Sequence, residues 1–327
     1  GPRTIEITGT TPVRATECLV YTATPKDAAC LAAPVLSNTH ITLTDASATG
    51  DFYAAADTTC TGAAIGNITI STGASSGTFR WKDTTAAVRT LTGTDNAASL
   101  VAGTLNVTVG PDRLDIAGSA TVRSGDCTAY TITLRDTALN AANVLSATTL
   151  EVTENAETGE YYAAPDTACV GAPITTASIA SGANAVTVRY KDNVKENVTL
   201  TVADNNAAYL AGDTLNVAVG PDRLVLTGNN PIRSGDCEIY TVTTKDTAGN
   251  TATVLSATTV NLSDNTTNGN FYALADTTCT GGVITSISIS SGASSQQYRY
   301  RDNVAENITL TVADNAASLT SSNLNVA

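Results

Sequence analysis

The 327-residue chain contains no methionine, one tryptophan, one histidine and three phenylalanines. Basic residues are also scarce: 17 Lys and Arg stand against 30 Asp and Glu, a formal charge of −13. Nucleic acids and anionic membrane surfaces need a basic footprint, so neither is an expected partner. No apolar run approaches the length of a membrane-spanning helix, so direct membrane insertion is not expected either. The single histidine, His40, leaves no basis for a histidine-rich metal cage or for a Ser-His-Asp triad in more than one place. The missing methionine gives the expectation that this is a piece processed or excised from a longer chain, with any export signal or anchor outside it.

What the chain has, it has three times. Gly110-Pro111-Asp112-Arg113-Leu114 returns as Gly220-Pro221-Asp222-Arg223-Leu224, and Gly1-Pro2-Arg3 is the same start without the Asp. A period of about 110 residues is a domain repeat rather than a solenoid repeat. The boundaries fall at 1–109, 110–219 and 220–327, and each copy is large enough for its own core. Thr and Ser make up about a quarter of the chain, a composition suited to strands and turns.

Six of the seven cysteines keep the repeat: Cys18, Cys127 and Cys237, each followed 42 residues later by Cys60, Cys169 and Cys279. This spacing predicts the bridges Cys18–Cys60, Cys127–Cys169 and Cys237–Cys279, and therefore an oxidising compartment. Cys30 is left over, either as a free thiol or as an intermolecular link.

The middle copy reads as about eight short strands. Leu114–Ala117, Thr128–Leu134, Thr148–Thr153 and Glu160–Ala164 come first. Thr175–Ile179 and Ala185–Tyr190 read as a hairpin around Ser181-Gly182-Ala183-Asn184, and Val198–Val202 and Thr214–Val219 close the copy. Tyr130, Ile132 and Leu134 share one face, the period of a half-buried strand. Cys127 has the opposite parity, so its bridge is expected to pin an edge or loop rather than cross the core. The strand pattern predicts an all-β fold of three tandem immunoglobulin-like β-sandwich domains. The aromatic sets Tyr21/Tyr130/Tyr240, Trp81/Tyr190/Tyr300 and Tyr53/Tyr162/Tyr272 recur at fixed strand positions, which favours packing over a carbohydrate platform.

Each last strand runs into the next Gly-Pro with no Gly/Ser tract between, and proline stiffens the turn. The copies should form an elongated rod of roughly 100–130 Å.

Candidate chemistry thins out once the copies are compared. Basic–Asp pairs follow two strands: Lys26-Asp27, Arg135-Asp136 and Lys245-Asp246, then Lys82-Asp83, Lys191-Asp192 and Arg301-Asp302. A reactive lysine must be able to lose its proton, and the repeat puts Arg in its place, so charge pairing at strand ends is the expectation. The repeat calls for no cofactor; calcium is the one ligand it raises. Asp95, Asp204 and Asp314 recur near the domain ends, and Asp112 and Asp222 lie at the junctions, but no compact calcium loop accompanies them. Asx residues capping turns account for the same pattern. Paired catalytic carboxylates and a phosphate-binding glycine loop are both absent.

The run Cys237-Glu238-Ile239-Tyr240-Thr241, then Phe271-Tyr272-Ala273 through Cys279, Ser291-Gly292-Ala293 and Tyr300-Arg301-Asp302-Asn303, resembles the bacterial Ig-like tandem repeats of very large extracellular adhesin and fibre proteins. The resemblance covers the whole chain. It implies export, an Ig-like sandwich and a non-enzymatic role as a stalk, filament or adhesin segment. The first copy departs from the pattern with Trp81, Thr84-Thr85 and Cys30. The expected partners are further copies of the same repeat in a longer chain, with lateral or end-to-end homotypic assembly. The alternative is a direct adhesion module engaging carbohydrate, protein or itself through loops or sheet edges.

Overall fold

The structure is a computed structural model that describes residues 1–205 and 210–327. Among the described residues every regular element is a strand. The first copy holds β1 (Thr4–Gly9), β2 (Val13–Arg14), β3 (Leu19–Lys26), β4 (Thr39–Thr44), β5 (Gly50–Ala54), β6 (Asn67–Ile70), β7 (Gly77–Asp83), β8 (Val88–Asp95) and β9 (Gly103–Gly110). The second holds β10 (Arg113–Ala117), β11 (Thr121–Arg123), β12 (Thr128–Arg135), β13 (Thr148–Glu154), β14 (Gly159–Ala163), β15 (Thr176–Ile179), β16 (Ala185–Asp192), β17 (Asn197–Asp204) and β18 (Asp213–Gly220). The third holds β19 (Arg223–Gly228), β20 (Glu238–Lys245), β21 (Thr258–Ser263), β22 (Gly269–Ala273), β23 (Val283–Ile284), β24 (Ser286–Ile289), β25 (Ser295–Asp302), β26 (Ile308–Asp314) and β27 (Ser322–Val326).

Each copy is a two-sheet sandwich. In the second, β10-β12-β16-β14 faces β11-β18-β17-β13-β15, and the first copy repeats this order strand for strand. The third keeps it but adds β23 beside β22 and has no counterpart of β11. The chain therefore forms three tandem immunoglobulin-like β-sandwiches.

The structure differs from the sequence reading in two places. Thr176–Ile179 and Ala185–Asp192 do not form a hairpin: β15 pairs with β13, whereas β16 pairs with β12 and β14 in the other sheet. The turn between them is an arch across the sandwich, tied by Gly182 N–H and Val144 N–H to the carbonyls of Val144 and Ala183. Spacing alone does not separate an arch from a hairpin, because both need a Gly at positive φ, here +80° at Gly182. The short strands β2 and β11 also escaped the sequence reading. Two or three residues carry no alternation, and they are held only by parallel pairing to β9 and β18.

Alternation fixes what the sheets bury. In β12, Tyr130, Ile132 and Leu134 are fully buried. Tyr130 meets Tyr190 edge-on at 6.4 Å between ring centres, and Tyr240 meets Tyr300 likewise at 6.2 Å. Tyr21, Trp81, Tyr190, Tyr240 and Tyr300 are each 1% exposed or less, so these aromatic sets are core and not a ligand platform. Each strand-opening Tyr also anchors a loop. The hydroxyls of Tyr21, Tyr130 and Tyr240 donate to the carbonyls of Thr10, Ser119 and Asn229 at 2.9–3.1 Å. A glycine lies against each ring. A Cβ on Gly118 would stand 2.3 Å from Tyr130 Cδ1, so only Gly allows this approach.

Surface area shows how the copies are strung. A single compact body of this mass would expose about 12,600 Å², and three separate sandwiches about 17,000 Å². The chain exposes 15294 Å². That lies nearer the value for three separate bodies, so the copies bury little surface against one another.

Candidate functional site: the stapled loop and the joint between copies

In β5, β14 and β22, two adjacent aromatic residues are both buried, which alternation by itself does not allow. Phe52, Tyr161 and Phe271 face the cores. Tyr53, Tyr162 and Tyr272 face the other way and are covered because the loop after each strand folds back over the sheet. A disulfide holds that loop: Cys18–Cys60, Cys127–Cys169 and Cys237–Cys279 are bridged. Each bridge ties the start of one strand to a loop over the same sheet and stays outside the core clusters.

Two further groups fix the loop, and the sequence reading assigned neither. Asp57, Asp166 and Asp276 receive N–H bonds from Gly62, Gly171 and Gly281 at 2.7–2.8 Å. Those donors hold all three carboxyls below the ordinary aspartate range. Arg80, Arg189 and Arg299 donate to the loop carbonyls of Ala55, Ala164 and Leu274 at 2.9–3.1 Å. The signal was available, since each Asp lies three residues before the loop cysteine in every copy.

The basic–Asp pairs do not pair with each other. Strand alternation sends the two side chains to opposite faces, and Asp83, Asp136, Asp192, Asp246 and Asp302 are all at most 3% exposed. Lys82 instead reaches the Cys60 carbonyl at 2.7 Å, Lys26 pairs with Glu6 at 3.0 Å and Arg135 with Asp115 at 2.7 Å.

The buried Asp136 and Asp246 make the joint. Oδ1 of each caps its own turn, accepting Asn140 N–H at 2.9 Å and Asn250 N–H at 2.7 Å. Oδ2 reaches back to the preceding copy, accepting Ala86 N–H at 3.0 Å and Lys195 N–H at 3.1 Å. Burial alone would raise the Asp246 pKa, but the N–H groups of Lys195 and Asn250 hold it below its ordinary value. The second joint adds Thr247 N–H to Ser124 Oγ at 3.0 Å and Ala248 N–H to the Asn193 carbonyl at 3.0 Å. Arg123 also donates to the carbonyl of Ser318. At the first joint Ala15 stands at the Ser124 position, and Thr137 Oγ1 donates to Asp112 instead. Gly110 and Gly220 lie under Leu145 and Leu255, whose side chains would come within 2.9–3.1 Å of a Cβ.

Serines, turn N–H groups and arginines stand beside four of the five calcium candidates. Burial raises the Asp95 and Asp314 pKa values, and donors from Ser99 and Ser318 and from turn N–H groups bring both below the ordinary range. Asp112 and Asp222 lie beside Arg113 and Arg223 at 3.0 and 3.6 Å. Asp204 ends β17 and is buried. Among the described residues no three His, Cys, Asp or Glu side chains are grouped so that they could hold a metal ion. His40 is exposed on β4, with Nδ1 2.9 Å from Thr69 Oγ1. Cys30 is free and exposed, at φ +60° on the turn tip where the other copies place Leu139 and Gly249.

The copies diverge beneath the joint. In the first, Arg89 Nε lies 2.6 Å from Asp83 Oδ2. In the second, Val198 takes the Arg89 position, and Asp192 sits near Glu154 and Glu196. Desolvation, aided by the Glu196 charge, raises the Asp192 pKa. A raised folded-state pKa means this group favours folding most below its unfolded value and loses that contribution as pH rises. Asp192→Asn is therefore expected to raise the second copy's melting temperature at pH 7. The gain should vanish below about pH 4, where the parent carboxyl is itself protonated. Thermal melts across that range check it.

No protein-family model matches the chain, and no curated protein does. Among solved structures it is similar to FdeC, an Escherichia coli adhesin, at 16% identity and a TM-score of 0.47, over 99% of this chain and 96% of that one. It is similar to InvD of Yersinia pseudotuberculosis at 16% identity and a TM-score of 0.36, over 98% and 95%. A β-glycosidase from Bacteroides vulgatus is similar at 12% identity and a TM-score of 0.27, over 66% of this chain and 25% of its own. The sandwich architecture itself is carried by the sheet pairing and the three cores.

Proposed function

We propose that the chain is a non-enzymatic structural segment of a bacterial extracellular stalk, filament or large adhesin, a disulfide-stapled spacer that sets distance. The observation that carries this reading is the joint: the same carboxylate-to-N–H bond closes both links, with Gly-Pro between copies and no flexible tract. A link of this kind transmits orientation from one copy to the next. Three bridges in one chain suit an oxidising compartment outside the cytoplasm. The scarcity of basic residues suits a self-repelling, soluble surface. The role calls on no cofactor, and the only histidine is exposed on a strand.

Small-angle scattering on the intact chain is expected to give a rod with a maximum dimension of about 100–130 Å. A compact or broadly bent ensemble would sink the spacer reading. So would tight, saturable binding of the isolated three-copy chain to cells or glycans, which would move the function to direct adhesion.

A further inference from the structure

The chain carries six Asn-x-Ser/Thr triplets, opening at Asn67, Asn106, Asn197, Asn261, Asn265 and Asn307. The fold places all six on the same side of their sandwiches. Asn67 lies on β6, Asn106 on β9 and Asn261 on β21, and Asn197 opens β17. Asn265 follows β21 by two residues, and Asn307 directly precedes β26. In every copy these strands belong to the sheet that carries no stapled loop. All six asparagines are exposed. Asn307 takes the place of Asn197, and Asn197 is exposed although the third copy packs against Lys195 two residues away. The strands of the other sheet hold one asparagine, Asn270, and Tyr272 stands two residues after it.

The side chains are free to take a substituent at nitrogen. A glycosidic bond to Asn uses Nδ2 and leaves the side-chain carbonyl in place. Asn106 Oδ1 accepts from Thr90 Oγ1 at 2.8 Å, and Asn265 Oδ1 accepts Thr309 N–H at 2.7 Å, so both contacts persist after modification. Asn261 Nδ2 donates to Asn315 Oδ1 at 3.2 Å, and the second N–H of that amide remains for the sugar. Among the described residues no hydrogen bond holds the side-chain amides of Asn67, Asn197 and Asn307.

This face also lacks the cover that charge gives the other one. On β21, β24, β26 and β27 no charged side chain is exposed, whereas Lys245, Arg299 and Arg301 lie on the opposite sheet. A neutral sheet face with a bare edge strand such as β6, which carries Asn67, has little repulsion to keep other chains away. Sugars at these positions supply bulk and solubility there.

We propose that this sheet is a glycan-bearing face, with the six asparagines as acceptors of N-linked oligosaccharide. The donor class is an oligosaccharide on a polyprenyl diphosphate. Asn Nδ2 attacks the anomeric carbon, and the C1–N bond forms as the C1–O bond to phosphate breaks. The lipid diphosphate leaves with the electron pair, and the amide nitrogen gives up one proton. Transfer precedes strand pairing, because the Thr199 and Thr309 hydroxyls of two acceptor triplets are bonded to Asn216 and Asn325 at 2.9 Å in the closed sheet. The inference rests on the chain being exported, as the spacer reading has it.

The test is site mapping on the chain recovered from the organism that makes it. An amidase that releases N-linked sugar converts the carrying Asn to Asp, and in heavy-oxygen water each former site takes up one label. The expected result is an intact mass above the 33.2 kDa of the polypeptide, with label within the six triplets, Asn197 and Asn307 included, and at no other asparagine. Asn216, Asn323 and Asn325 are the controls. They are exposed on the same sheet, but Ala218, Asn325 and Ala327 stand where an acceptor triplet needs a hydroxyl. Thr199→Ala with Thr309→Ala, made in the same organism, should empty Asn197 and Asn307 and leave the other sites as they were. The three bridges, mapped in that variant, show that it has folded. A mass at the polypeptide value, label on the controls, or sugar that stays at Asn197 in the variant would overturn the inference. An unmodified chain that comes from the cell surface and scatters as a rod rejects the glycan face alone and leaves the spacer reading standing.

Discussion

Replacing Cys127 and Cys169 together by serine is expected to destabilise the second copy by about 4 kcal/mol and leave the other two copies close to their original transitions. The bridge closes a loop with a sequence separation of 42 residues. The chain-entropy model assigns a loop of that size about 4 kcal/mol. Two other sets of contacts hold the same loop and oppose complete loss: the N–H donors to Asp166, and Arg189 on the Ala164 carbonyl. Both are exposed or half-exposed, and net contributions of about 1 kcal/mol each do not match the bridge. For a domain of this size the expected fall in melting temperature is about 20 °C. Calorimetry should resolve one early transition beside two nearly unchanged ones. A second arm sharpens the test. Cys169 sits at φ +50°, a conformation that costs a residue with a Cβ about 1 kcal/mol and costs glycine nothing. Glycine at 169 should therefore recover part of what serine loses. A shift of only a few degrees in the double serine variant would mean that Asp166 and Arg189 hold the loop without the bridge.

Asp136→Ala together with Asp246→Ala is expected to soften both joints. Each carboxylate is 1% exposed and serves two copies at once. Its loss uncaps the turn at Asn140 or Asn250 and leaves Ala86 or Lys195 with an N–H facing a partly covered joint without an acceptor. Hydrogen bonds to a charged acceptor contribute roughly 1.5–3 kcal/mol each, so a cost of about 3 kcal/mol per joint is the expected scale. The mechanical effect matters more for a spacer: scattering should show a broader, shorter distribution than the parent rod. Asparagine at the same positions keeps one acceptor oxygen and should restore part of the stiffness. Lower melting with unchanged scattering would assign these residues to turn capping alone, and the rigidity of the array would then have to come from the Gly-Pro link and Leu145 and Leu255.

The sandwich was legible because burial has a period. Tyr130, Ile132 and Leu134 mark a strand from spacing alone, and threefold recurrence separates core aromatics from chance ones. The bridges were legible for a similar reason, since three cysteine pairs at one separation leave little freedom. The joint was only half legible. Gly-Pro-Asp announced a stiff link, but its Asp112 and Asp222 lie beside their neighbouring arginines. The carboxylates that cross between copies are Asp136 and Asp246, which the sequence shows only as ordinary turn residues after a strand. The adjacent Lys or Arg invited pairing, and the strand pleat that prevents it is a property of the backbone.

The sequence by itself determined the number of copies, the strand character, the inward aromatic faces, the paired cysteines and the odd Cys30. All of these follow from local periodicity and recurrence, and chain order preserves both. Tertiary structure alone decided whether the turn at Gly182 closes a hairpin or crosses the sandwich. It also decided which face of β5, β14 and β22 the stapled loop covers, and which buried carboxylate reaches the neighbouring copy. These outcomes depend on partners distant in the chain, 42 residues away for the bridged loop and 50 for Ala86 and Asp136. A turn or a carboxylate looks the same in the sequence whichever distant N–H group the fold brings to it.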